Sequence, residues 1–475
     1  MSTAAPSSPM AHRLEAPPAP RSLEEADLGA DVVDELIIKT LYVGEAVGHA
    51  LADQLCLPFT ILEPLIERAR AERLIEVRGV GRRASEVPAF EGSSAASYRY
   101  AVTDLGRERG RRFLDACAYI GPVPVSLRAY LAAMQELASL RLDVGHDQLL
   151  SAFTNLIVGE STLQHLGPAV NSKKAIFLYG SPGNGKTVLA QGMGRALGGD
   201  MYLPHAISVD GHIVTMYDPI THESLEPKAD TLREGVVELR KPETSVIAVA
   251  PRDRRWLHIK RPVVVVGGEL TLDMLDLTFN PIAKFSDAPI HMKANGGVLL
   301  VDDFGRQRMR PEDLLNRWIV PLESRIDFLT LHTGRKFQIP FDVLLLFATN
   351  LNPASLADEA FLRRIPYKVA IHDPTRDQFM QIFELVCRQR RLSFNPAMVH
   401  HLWRRHYDPL KRPMRACHPR DLIDLVMPLC RYRGIEPRIT DELLDAACTA
   451  YFIEQDEALG TPSPPLGSEL VGQRR

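Results

Sequence analysis

Residues 180–187 read Gly-Ser-Pro-Gly-Asn-Gly-Lys-Thr, so Gly180, Ser181, Pro182, Gly183, Asn184, Gly185, Lys186 and Thr187 satisfy the pattern GxxxxGK(S/T). Glycines at 180, 183 and 185 let successive backbone N–H groups curl around an anion, and the helix expected behind them adds its positive end. The lysine then reaches the β- and γ-phosphates of a nucleotide, and the hydroxyl after it ligates magnesium, so ATP and Mg2+ are the cofactors this spacing implies. A chance match in a loop is the ordinary alternative. The flanks argue against it, because Ala175–Tyr179 (AIFLY) is a short apolar strand and Leu189, Met193 and Leu197 follow at helical spacing.

Two further runs end in groups that chemistry at a phosphate requires. Gly297–Asp303 (GVLLVDD) is apolar without alternation, as expected of a parallel strand covered on both faces, and it closes on paired carboxylates. Asp302 is placed to hold magnesium through water, and Asp303 to orient or deprotonate an attacking water. Phe341–Asn350 (FDVLLLFATN) is a second buried-strand pattern, and it ends in an amide able to reach the γ-phosphate and that water.

These runs, together with ANGGVLLVDD (294–303), the FATN ending and DEAFLRRI (358–365), resemble the AAA+ superfamily over about residues 145 to 452. The resemblance implies an α/β P-loop core with a parallel sheet and a C-terminal helical lid. It also implies assembly into a ring or arc, a hexamer above all, and ATP hydrolysis spent on remodelling a protein client. Asn350 matches sensor 1, Arg363 or Arg364 matches the arginine finger offered to a neighbouring subunit's nucleotide, and Arg420 in CHPRDLIDLV (417–426) matches sensor 2. Many relatives carry Glu where this chain has Asp303. The side chain is one methylene shorter, so the water must sit closer or be bridged, and a slow ATPase is one outcome. The ordinary reading of each arginine is a solvated charge or an ion pair with Asp358, Glu359 or Asp421.

Lys186 and Asp302 stand about twice as far apart as short connections need, which predicts an insertion at about 200–290. Within it, AISV-DG-HIVTMYD alternates around Asp210-Gly211 and predicts a hairpin, and Pro262–Val266 predicts a further strand. The phrase ANGGVLLVDDFGR resembles AAA+ groups with insertions before this strand, such as magnesium-chelatase-like and enhancer-binding ATPases, although no GAFTGA-like loop is present. Arg252, Arg254, Arg255, Lys260 and Arg261 surround Trp256, a composition that grips a phosphate backbone and stacks a base, or else forms an exposed loop. His400, His401 and His406 lack metal-ligand spacing and read as helix surface or packing.

The elements that must position these groups divide the chain as follows: a disordered tail at 1–28, a small α+β winged-helix-like domain at 29–118, linker helices at 119–144, the α/β core at 145–372, a helical lid at 373–457 and a second tail at 458–475. In the N-terminal domain, Val33, Ile37 and Leu41 mark a first helix, and Thr60 with Glu63 predicts a capping box starting the third near Ile61. Strands are expected at 74–77 and 98–102, joined by a wing containing Arg78, Arg82 and Arg83. Such a module reads DNA or docks protein. Glu63, Glu67 and Glu72 beside Arg68, Arg70 and Arg73 make DNA the less favoured partner and ATP as a mere conformational switch of a DNA-binding regulator the runner-up function. With 475 residues, 24% charged and a net charge of −3, the composition demands no nucleic acid. Six cysteines without CxxC spacing read as reduced, and no run approaches the length of a membrane span, so the expectation is a cytoplasmic protein without a membrane partner.

Overall fold

The computed structural model describes residues 15–80, 94–140, 143–154, 156–226, 251–356 and 359–452. The chain forms two compact units, the first holding residues up to Phe153, Val158–Gly180 and Lys186–Ala370, the second Thr154–Ile157, Ser181–Gly185 and the chain from Ile371.

At the centre of the first unit lie five parallel strands: Ile176–Tyr179, Val263–Val266, Val298–Val301, Leu344–Thr349 and Tyr367–Ala370. Numbered by chain order, they lie across the sheet as 5-1-4-3-2. Val298–Val301 and Leu344–Thr349 are buried at every position, which is what a strand covered on both faces requires. Phe177, Leu299, Phe347, Phe304 and Trp318 fill the cluster on one of those faces.

The insertion begins after the helix Lys186–Leu197. Asp200–Pro204 pairs antiparallel with Trp256–Lys260, and Ala206–Val209 forms the expected hairpin with His212–Thr215. Asp210 at φ +50° and Gly211 at φ +80° supply the two left-handed residues that a two-residue hairpin turn needs. Segment 119–144, expected as linker helices, does more than link. Val125–Ser126 adds a parallel strand beside Ala206–Val209, and Tyr130, Met134 and Leu137 of the helix Leu127–Ser139 enter the core of the insertion. The loop before Val298 is tightly held: Asn295, fully buried, donates to the Tyr130 hydroxyl (3.1 Å) and Pro340 O (2.9 Å) and accepts from Asp342 N (3.0 Å). A Cβ on Gly297 would lie 2.1 Å from Pro262 O, so this glycine is required by close backbone approach.

The N-terminal segment places helices Ala30–Val43, Gly48–Leu55 and Phe59–Ala71 against a three-stranded antiparallel sheet of Ala46–Val47, Tyr98–Val102 and Ile75–Val80. Val33, Ile37 and Leu41 are buried as their spacing predicts. The capping box is a correction. The helix starts at Phe59 behind Pro58 with no side-chain cap, which puts Thr60 inside the first turn where it has no free N–H to serve. Residues 15–28, expected within a tail, are placed as well: Asp253 N donates to Pro17 O (2.7 Å), Ala26 is buried, and Asp27 accepts from Ser126 and Arg128. Leu23 and Leu28, packed on the neighbouring core, provide the apolar surface that the proline-rich composition concealed. The rest of that tail, the tail at 458–475, and Arg82 and Arg83 lie outside the described residues.

The second unit is helical from Arg376, with Arg376–Gln389, Pro396–Leu402, His418–Tyr432 and Asp441–Tyr451 around a core of Phe379, Phe383, Leu422 and Leu444. Thr375 and Gln378 form a complete capping box. A π-turn at Trp403–Tyr407 brings His401 and His406 onto one carboxylate, Asp445, while His400 lies edge-on to Trp403. His418 is buried under Tyr451 and Phe452, and its Nδ1 accepts from the Tyr407 hydroxyl at 2.7 Å. Burial is the main cause that pulls its pKa down to about 4, with Asp421 opposing and Arg415 assisting. The folded pKa lies below the unfolded one near 6.5, so stability is complete above pH 6.5 and falls as the pH drops toward 4. The expected loss from pH 7 to pH 5 is about 2 kcal/mol from this group. Urea midpoints at the two pH values check it, and a His418→Gln variant with the same pH slope as the parent would discard this assignment.

Candidate nucleotide site

Three of the central strands end in the groups singled out in the sequence. Adjacent parallel strands open their carboxyl ends on the same edge, and the 5-1-4-3-2 order makes Ile176–Tyr179, Leu344–Thr349 and Val298–Val301 consecutive neighbours. Lys186, Asn350 and the Asp302–Asp303 pair therefore meet although 164 residues separate the first two.

Lys186 is 7% exposed, and its ammonium donates to Gly180 O at 3.0 Å and to Asn350 Oδ1 at 2.5 Å. The Asn350 amide donates in turn to Asp303 Oδ1 at 3.2 Å. Thr187 Oγ1 donates to Asp302 Oδ2 at 2.6 Å, and Asp303 N donates to Asp302 Oδ1 at 2.9 Å. A lysine, an amide, a hydroxyl and two carboxylates thus form one continuous hydrogen-bonded group. Asp303 is exposed and holds φ +48°, a left-handed conformation that a non-glycine residue adopts at a cost. The turn behind it is braced: Gln307 Nε2 donates to Asp302 O (2.9 Å), Gly305 N donates to Gln307 Oε1 (2.8 Å), and Thr349 Oγ1 donates to Phe304 O (2.8 Å).

Gly180 (φ +142°), Gly183 (φ +82°) and Gly185 (φ +78°) all take backbone angles that side chains resist, as a loop curled around phosphate requires. Within the second unit, Ser181 and Gly185 are half-buried, Pro182 and Gly183 exposed, and Asn184 buried. Asn184 Nδ2 donates to Asp373 Oδ1 (2.7 Å), and its Oδ1 accepts from Ala416 N (3.1 Å). Arg420 is exposed and turned to Asp421 Oδ1 through both Nε (2.9 Å) and Nη2 (2.8 Å). The arginine pair separates: Arg364 is half-buried and donates from Nε to Glu323 Oε1 at 2.6 Å, whereas Arg363 is exposed and in no ion pair among the described residues.

The donor set fits the cofactors the spacing implied. Thr187 Oγ1 and Asp302 Oδ2 bring two hard oxygens together where a magnesium ion sharing phosphate oxygens and water needs few protein ligands. Among the described residues no cluster of three or more His, Cys, Asp or Glu suits an all-protein metal cage. Sequence reasoning missed Asp373, Gln307 and Glu323. Gln307 is four residues beyond Asp303 in a polar loop, a signal available in retrospect. Asp373 carries none, since 189 residues separate it from Asn184.

The basic run around Trp256 is spent internally. Trp256 is buried, Arg255 chelates Asp253, Arg254 meets Asp53 (2.5 Å), Arg252 meets Glu226 (2.8 Å), Lys260 meets Glu223 (2.5 Å) and Arg261 donates to Gly296 O (2.5 Å). In the N-terminal segment Arg68 pairs with Asp34, Arg70 with Glu67, Arg78 with Glu45 and Glu76, and Arg109 with Glu72. No helix of the described residues is long and apolar enough to cross a membrane.

A family profile described as a domain of unknown function (DUF8689) matches residues 375–450, and no curated protein matches the chain. Among solved structures the chain is similar to NtrX from Brucella abortus in complex with ATP, at 16% identity and a TM-score of 0.37 over 66% of this chain and 60% of that one. It is also similar to variants of RuvB from Thermotoga maritima, one at 14% identity and a TM-score of 0.34 over 61% of this chain and 70% of that one. The match thus spans less than two thirds of NtrX. Likeness at this level decides nothing about this chain, and the fold rests on its own strand order.

Proposed function

We propose that the chain is an AAA+ ATPase that binds ATP with magnesium, hydrolyses it in a homo-oligomer, a hexamer above all, and spends the turnover on remodelling a protein client. The observation that carries this reading is the convergence of Lys186, Thr187, Asp302, Asp303 and Asn350 at the ends of three neighbouring parallel strands. Lys186 would exchange Gly180 O and Asn350 Oδ1 for β- and γ-phosphate oxygens. Thr187 and Asp302 would hold magnesium, which supplies charge neutralisation on the phosphates when bound. Asp303 is the base that accepts a proton from the attacking water, and its bond to the Asn350 amide lets the shorter carboxylate and the amide fix that water together.

Arg363 is the residue we assign to a neighbouring subunit's nucleotide. It is uncommitted by any ion pair among the described residues, while Arg364 is engaged by Glu323. For the N-terminal module, whose helix and strand order suits a winged helix, the reading is protein docking, because Arg68, Arg70, Arg78 and Arg109 already face carboxylates and would have to break those pairs to reach DNA phosphate. The test is phosphate release per protomer at saturating MgATP over a wide range of protein concentration. Turnover rising with concentration to a plateau is expected; ATP binding with no release at any concentration would transfer the reading to a nucleotide switch.

A further inference from the structure

The tip of the phosphate loop is bonded to other parts of the second unit through both polar atoms of the Asn184 side chain and through Gly183 O. Asn184 Nδ2 donates to Asp373 Oδ1 at 2.7 Å, its Oδ1 accepts from Ala416 N at 3.1 Å, and the neighbouring Gly183 O accepts from Cys417 N at 2.9 Å. The same Asp373 Oδ1 accepts from Arg415 Nη1. A Cβ on Gly183 would meet Cys417 Sγ at 2.6 Å and Arg415 Cβ at 3.7 Å, so the stem of Arg415 lies against the loop tip. One carboxylate therefore fixes two things at once: the side chain that shapes the loop and the cation beside it. Arg420, matched to the lid sensor by its sequence setting, is instead engaged by the adjacent Asp421.

We propose that Asp373 is a positioning residue for nucleotide binding, which through Asn184 and Arg415 clasps the phosphate loop to the segment Arg415–Cys417 that opens the helix His418–Tyr432. This rests on the ATP-binding reading. A charge-assisted bond from each partner to a shared carboxylate is stronger than a neutral one, and an ordered loop presents its N–H groups to phosphate without first having to be fixed. The clasp acts before chemistry. Disrupting it raises the KM for ATP and leaves kcat at saturating ATP near the parent value, provided substrate equilibrates before the chemical step.

The experiment uses the full chain, with a fluorescent ATP analogue for affinity and phosphate release for KM and kcat. Asn184→Asp sets a second carboxylate against Asp373, and about a tenfold loss of affinity is expected, the size of one weakened charge-assisted interaction. The swap Asn184→Asp with Asp373→Asn restores one carboxylate and one amide and should return affinity to within about threefold of the parent. Should Asn184→Asp not fold by circular dichroism, Asp373→Ala removes the shared acceptor without a new charge and should raise KM by a similar factor with kcat retained. Parent-like affinity in both single variants, or a swap no better than Asn184→Asp, overturns the clasp alone. No analogue binding by the parent chain overturns the ATP reading and the clasp with it.

Discussion

Replacing Lys186 by alanine is expected to lower phosphate release by at least about 100-fold, the scale on which removing a single pre-aimed donor at a developing charge acts. Lys186 is only 7% exposed and its ammonium is already aimed: Gly180 O and Asn350 Oδ1, which accept from it, belong to the phosphate loop and to the end of a neighbouring strand. No other lysine or arginine bonds to that group of residues in the first unit among the described residues. Alanine suits the first turn of the helix Lys186–Leu197, so the fold should persist. The check is phosphate release and analogue binding on the same preparation, with circular dichroism as the control for folding. Turnover within a few-fold of the parent would remove Lys186, and the phosphate loop with it, from the proposed chemistry.

That site was legible because its signals are local. Eight consecutive residues specify the phosphate loop, and the flat apolar runs before Asp302 and Asn350 specify covered parallel strands. The Asp210-Gly211 turn was legible for the same reason, since two left-handed residues between alternating runs leave few other conformations. The misses have a common physical origin in distance along the chain. Asp373 meets Asn184 from 189 residues away, and Val125–Ser126 joins a sheet whose other strands come from the insertion. Neither segment differs in composition from an ordinary loop. The Thr60–Glu63 pair failed in the opposite way: its local pattern was right, but Pro58 already sets the entry to the helix and the pair falls two residues too late. The basic run around Trp256 carried a nucleic-acid composition, yet each cation there finds a carboxylate or a carbonyl that sequence spacing could not reveal.

For the arginine pair the structure separates what the sequence left equal, and the separation makes the second large prediction. Arg363→Ala should lower turnover about 1,000-fold while ATP affinity stays within about threefold, because a cation supplied across a subunit boundary acts on transition-state charge and not on ground-state binding. Arg364→Ala should instead cost at most about 1 kcal/mol of stability, since its partner Glu323 is half exposed and the pair is only partly shielded from water. Turnover in that variant should stay near the parent value. The trans assignment has its own test in mixed assemblies. Arg363→Ala subunits retain Lys186, and Lys186→Ala subunits retain Arg363, so each variant alone lacks one half of every site. Mixed in equal amounts, they rebuild complete sites wherever an Arg363→Ala nucleotide pocket faces an Arg363 from its neighbour, and turnover should rise well above either variant alone. Recovery in the mixture requires the residue to act between subunits. Loss of turnover in Arg363→Ala without recovery on mixing would place the arginine in its own subunit's site, and no loss at all would return it to the solvated surface charge that an isolated arginine ordinarily is.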